Sequence, residues 1–90
     1  MRFEWDERKN LLNIRHHKID FRDVPQVFQG PLLIDLDDRK EYGEERWIGI
    51  GMLRDIPVVV VFVERGPDRL RLISARKANQ LERERYERHF

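Results

Sequence analysis

The chain contains no cysteine, so disulfides, thiolate chemistry and cysteine-bound zinc are all excluded. Long hydrophobic runs are also missing. The longest, Ile56 to Val63, is far too short to span a bilayer, so no membrane association is expected. The opening residues Met1-Arg2-Phe3-Glu4-Trp5-Asp6 carry no apolar leader segment, which makes a cytoplasmic location the expectation. Neither sign of charge is in large excess. A formal net charge of +1 argues against a uniformly basic nucleic-acid binder. Repeats, low-complexity stretches and linkers are absent, and 90 residues fit one domain, residues 1–90, with one compact core.

What the chain does contain is a blocked pattern of apolar residues, which argues against disorder despite a charged fraction of 39%. Phe3 to Trp5 reads as a short strand. Asp6 is a good N-cap for a helix running to about His17, with Glu7 in the first turn favoured by the helix dipole. Leu11, Leu12 and Ile14 are its expected buried stripe, while Lys9, Asn13 and His17 share another face at four-residue intervals. Asp20 opens a second, shorter helix carrying Phe21, Val24, Val27 and Phe28, with Pro25 in its first turns and Gly30-Pro31 as its stop.

Strands are expected at Leu32–Leu36, Arg46–Leu53, Pro57–Glu64 and Leu70–Ala75. Arg54-Asp55-Ile56 would close a hairpin, and Gly66-Pro67-Asp68 would make a turn. Val58 through Val63 is apolar at every position, the mark of a central strand covered on both faces. A last helix, roughly Lys77 to Arg88, has only Ala78, Leu81 and Tyr86 as apolar anchors. The order β-α-α-β-β-β-β-α describes an α+β fold with a mostly antiparallel sheet.

The candidate chemistry lies with arginine, whose planar, permanently charged fork fits phosphate oxygens. Positive charge is concentrated from Arg65 to Arg88, whereas Ile34 to Glu45 is mostly acidic. Arg46, Arg65, Arg69, Arg71 and Arg76 all fall on or beside the expected strands, and ordinary surface charge would use the same residues. Strict alternation puts Leu70, Leu72, Ser74 and Arg76 on one side of the last strand and Arg69, Arg71 and Ile73 on the other. Arg76 therefore joins the other arginines only if the strand end bends. RNA cleavage without a metal needs an oriented backbone, proton transfer and charge stabilisation on the phosphorane. His17, His16, Glu44 and Glu64 are the proton-transfer candidates, although a histidine at a helix C-terminus also suits the dipole. Asp35 and Asp37 could face one Mg²⁺ ion, but no third carboxylate follows at a telling spacing, so neither metal nor cofactor is expected. Trp5 and Trp47 could stack on bases, yet large aromatics in a small domain usually belong to the core.

Three motifs stand in order along the chain. The first is Phe3-Glu4-Trp5-Asp6 with Lys9-Asn10 and Asn13-Ile14-Arg15-His16-His17, and the second is Gly43-Glu44-Glu45-Arg46-Trp47-Ile48-Gly49. The third and most specific is Arg71-Leu72-Ile73-Ser74-Ala75-Arg76-Lys77-Ala78, with Glu82-Arg83 and Tyr86. Together these motifs resemble the BrnT toxin family, with one departure at Lys18, where that family usually has glycine after the helix-ending histidine. The resemblance implies a RelE-like fold and an endoribonuclease toxin of a type II toxin–antitoxin system. It also implies translation arrest and a BrnA-like antitoxin partner with a ribbon-helix-helix domain, DNA being met only through the antitoxin. It further implies catalytic roles for Glu44, Arg46, Arg65, Arg76 and His17. Arg46, Arg65 and Arg76 would hold phosphate and transition-state charge, and Glu44 or His17 would move protons. Lys9, Arg71, Ser74 and Lys77 are the candidates for substrate contact, with Ser74 equally suited to holding the strand end. The competing class is a non-catalytic module that docks an antitoxin or nucleic acid.

Overall fold

The computed structural model describes residues 1–90. Its elements are β1 (Arg2–Glu4), α1 (Glu7–His17), a 3₁₀ helix (Phe21–Gln29), β2 (Leu33–Asp37), β3 (Arg46–Leu53), β4 (Ile56–Glu64), β5 (Arg69–Lys77) and α2 (Gln80–His89). The five strands form one sheet in the order β1-β5-β4-β3-β2. Every neighbouring pair is antiparallel except β1 with β5, which is parallel. The α+β expectation and the central position of β4 agree with this sheet. No helix is long and apolar enough to cross a membrane.

The second helix is 3₁₀ throughout, where α-helix was expected. Phe21, Val24 and Val27 are spaced three apart, so a three-residue turn stacks all of them on one line. All three are fully buried. They pack on Val58, Val60, Phe62, Leu70, Leu72 and Ala75, which form one face of the sheet. Gly49 and Gly51 let the sheet approach closely here. A Cβ at Gly51 would lie 2.5 Å from Leu32 Cδ1 and 2.7 Å from Val27 Cγ1.

α1 inverts the expected amphipathic pattern. Leu11 and Leu12 are 66% and 51% exposed, while Asn10 and Asn13 are buried. Burial of an amide is tolerable only when its hydrogen bonds are made. Asn13 Nδ2 donates to the carbonyls of Ile19 and Ala75, both at 2.9 Å, and its Oδ1 accepts from Ala75 N at 3.1 Å. Asn10 Oδ1 accepts from Phe21 N at 2.8 Å, and its Nδ2 donates to Asp20 at 3.0 Å. These two amides dock α1 against the edge of β5 and the start of the 3₁₀ helix. The helix ends at Lys18, which takes the left-handed conformation (φ 62°) where glycine would be unstrained.

β5 is longer than expected and holds Lys77, so α2 starts three residues later. Asn79 caps α2 in a reciprocal box with Glu82, each bond 2.8 Å. No residue of α2 is buried, and Leu81 is 75% exposed, so the expected anchor role of Leu81 is not fulfilled. The helix is instead held across the second sheet face by polar contacts. Arg85 pairs with Asp35, and the Tyr86 hydroxyl donates to the carbonyl of Pro31 at 3.0 Å.

Candidate nucleic-acid interface

A bulge in β5 decides which arginines share a face. Val61 pairs with Ser74 but Phe62 pairs with Leu72, leaving Ile73 without a partner. The extra residue resets the alternation. Ala75 thereby joins Leu72 in the core, and Ser74 and Arg76 join Arg71 on the other face, opposite Val61, Val59 and Val63. Strict alternation had separated Arg76 from Arg71; the bulge supplies the bend that unites them. Lys77, opposite Val58, falls on the core side and is exposed at the strand end.

The resulting face is apolar at its floor and charged at its surface. Ile50, Val59, Val61 and Val63 are buried beneath it. The side chains of Arg46, Arg71 and Arg76 on this face are only 23%, 29% and 33% exposed.

The charges sort into linked groups. Glu44 stands between two arginines, 3.5 Å from Arg46 Nε and 3.4 Å from Arg65 Nη2. The Arg46 guanidinium lies 4.1 Å from the centre of the Tyr42 ring, a cation–π contact. Its buried Nε has no hydrogen-bond acceptor. The Tyr42 hydroxyl donates to Asp37 at 3.3 Å, and Arg39 donates to both oxygens of the buried Asp37 at 2.7 and 2.9 Å. This fork holds the Asp37 carboxyl below the ordinary carboxylate range, with burial opposing it, and holds Arg39 more firmly protonated.

Arg76 makes a similar fork to Glu82, two bonds of 2.8 Å. Those bonds lower the Glu82 carboxyl and raise the Arg76 guanidinium, and the positive charge of Arg39 acts on both. Arg71 and Arg69 share Glu4, at 3.0 and 3.2 Å.

Glu44, Arg46 and Arg65 are thus brought together. Arg76 is not in their group. It pairs with Val59, four positions along β4 from the Val63–Arg71 pair, roughly 13 Å by strand rise. Asp37, Arg39 and Tyr42 occupy the interval. Ser74 is half-buried on the same face beside Arg76. His17 and Lys9 lie elsewhere, lining a shallow groove with Leu12, Asn13, His16 and Ile73 that includes none of the arginines.

Sequence reasoning singles out neither Arg39 nor Tyr42, and it reads Asp37 only as a candidate metal ligand. Asp35 and Asp37 are each engaged by an arginine, and no group of three His, Asp or Glu side chains could hold an ion. Trp47 and Trp5 pack against the core, as large aromatics were expected to.

Comparison with known proteins gives the family of the chain. Residues 5–82 match the family model described as the ribonuclease toxin BrnT of type II toxin–antitoxin systems. Among solved structures, the chain is similar to the Brucella abortus ribonuclease toxin BrnT. Identity is 30%, with 89% of this chain and 99% of that chain covered and a TM-score of 0.69. No curated protein matches. A structural likeness over 89% of the chain and a family match over residues 5–82, which takes in α1 and four of the five strands, lead to one conclusion: the chain belongs to the BrnT family of ribonuclease toxins of type II toxin–antitoxin systems.

Proposed function

We propose that this chain is a RelE-like toxin, one domain over residues 1–90, that cleaves RNA without a metal ion. The ribose 2′-oxygen attacks the adjacent phosphorus, the bond to the 5′-oxygen breaks, and a 2′,3′-cyclic phosphate is left. Glu44 takes the 2′-hydroxyl proton, and water protonates the departing 5′-oxygen. Arg46 and Arg65 hold the phosphate oxygens as negative charge grows in the phosphorane. Arg39 and Arg76 bind the neighbouring backbone, with Arg71 and Ser74 beside them. His17 and Lys9, in their own groove, bind RNA further along rather than at the scissile bond.

The observation that carries the reading is the Arg46–Glu44–Arg65 arrangement. A carboxylate stands between two cations, and the Tyr42 ring positions the Arg46 guanidinium beside it. A fixed pair of guanidinium groups flanking a proton acceptor suits an incoming phosphate. The antitoxin is a BrnA-like ribbon-helix-helix protein in the same cytoplasm, through which the complex meets operator DNA.

The test is purified protein with RNA in EDTA. Cleavage with cyclic-phosphate ends, lost in Glu44→Gln and Arg46→Ala, supports the reading. RNA binding without scission would assign the chain to the non-catalytic class instead.

A further inference from the structure

Beside the groove of Lys9 and His17, the face of α1 that carries Arg8, Leu11 and Arg15 has no role in the chemistry above, yet it is built unusually. Two adjacent leucines face solvent, in a shallow groove they share with Arg8 and Arg15. Single exposed leucines are common and need no explanation. Here they are framed by cations that the protein leaves unpaired.

Elsewhere the chain neutralises nine of its other twelve arginines, leaving Arg2, Arg83 and Arg88 unpaired. Arg22, Arg39, Arg46, Arg54, Arg65, Arg69, Arg71, Arg76 and Arg85 each stand within 3.7 Å of a carboxylate. Arg8, Lys9, Arg15 and Lys18 have none within that distance. The two acids at the start of α1 are already engaged. Asp6 accepts the backbone N–H groups of Arg8 and Lys9, and Glu7 accepts from Trp5 and Arg22. An apolar centre ringed by unneutralised positive charge is complementary to an acidic amphipathic surface.

We infer that this face docks an acidic amphipathic segment of the antitoxin. An apolar side chain of that segment seats against Leu11 and Leu12, and its carboxylates meet Arg8 and Arg15. The inference rests on the toxin–antitoxin reading above for the existence of a protein partner. RNA fits less well: its phosphates would satisfy the cations, but the groove offers leucines and no aromatic ring on which a base could stack.

The experiment is calorimetric titration of the full chain with the antitoxin encoded beside it, at low and high salt, using Leu11→Ser and Arg15→Glu. Both positions are exposed, so both variants should fold. Each is expected to weaken antitoxin binding about tenfold or more, with the salt dependence reduced in Arg15→Glu, while thermal midpoint and RNA cleavage stay at the parent level. Parent-like affinity in both variants overturns the docking site. So does lost RNA cleavage with intact antitoxin binding, which would hand the face to RNA. A dimer seen by sedimentation in the parent and lost in Leu11→Ser overturns it in favour of a second copy. If the unmodified chain does not bind the antitoxin at all, the partner reading fails with it, and that is visible before any variant is made.

Discussion

The side-chain amide of Asn13 pairs with the backbone of Ala75 as a neighbouring strand would, donating to its carbonyl and accepting from its N–H. β1 covers β5 only from Arg69 to Arg71, so beyond that point the edge of β5 needs another partner. One asparagine on α1 provides it and carries a third bond to Ile19. Removing this amide strands buried polar groups on both sides, a cost larger than the bonds themselves. Asn13→Ala is expected to destabilise the fold by about 3 kcal/mol in urea titration. Asn13→Asp keeps the size but cannot donate to either carbonyl, and should be as damaging. A parental midpoint in both would mean that water satisfies the edge instead.

Lys18 adopts φ 62° at the end of α1, a conformation that crowds any Cβ. Its ammonium reaches only the Arg15 carbonyl, at 3.3 Å and exposed. Lys18→Gly is therefore expected to stabilise by roughly 0.5–1 kcal/mol, the relief of strain outweighing the added freedom of the unfolded chain. Chemical denaturation measures it; a lower midpoint would show that the lysine contributes something the geometry does not reveal.

Gly51 is needed for closeness rather than for a turn. Gly51→Ala sets a methyl against Leu32 and Val27 within the core and should cost about 1–3 kcal/mol. Gly30→Ala, with nothing within 4 Å of its Cβ, is the control and should be near neutral. Equal thermal midpoints for the two variants would contradict this packing.

Asp37 makes stability depend on pH. Its folded carboxyl is held below the value of 3.8 that an unperturbed aspartate has, chiefly by the Arg39 fork. The folded state thus keeps the charged form more strongly than the unfolded state does. That contribution is complete above the unfolded pKa and is lost as pH falls through the lower folded value. In Asp37→Asn, stability at neutral pH should drop, and its decline on acidification should be shallower than in the parent. Parallel acid limbs in urea midpoints from pH 7 to pH 3 would count against this.

Arg76 tests the face at its far end. Arg76→Ala removes the fork to Glu82 but leaves the Asn79 cap of α2 intact. RNA cleavage and growth arrest are expected to fall about a hundredfold, with the far-ultraviolet dichroism of the folded chain retained. Full activity would remove Arg76 from the RNA-binding face. Loss of the folded spectrum would make it a structural residue.

Much of the sheet was legible in sequence. β3 spans Arg46–Leu53 as its pattern indicates, and the uninterrupted apolar run of β4 places it in the centre, because a strand covered on both faces has no polar side to show. The 3₁₀ helix was legible in principle from the three-residue spacing of Phe21, Val24 and Val27, a signal that resembles an α-helical one over so short a stretch. The pairing of Glu44 with Arg46 and Arg65 joins a loop, a strand start and the residue after a strand; the motif holds only Glu44 and Arg46, and no spacing pointed to the contact.

Local chemistry by itself determined which segments are strands, where the helices capped by Asp6 and Asp20 begin, and that guanidinium groups dominate the surface chemistry, since alternation, capping and charge are properties of short stretches. Tertiary structure alone decided which way α1 faces and which arginines share a surface. Asn13 is worth burying only because the open edge of β5 awaits it. A single unpaired residue, Ile73, moves Arg76 across the sheet. Both effects depend on hydrogen-bond partners far apart in sequence, and no local pattern carries that information.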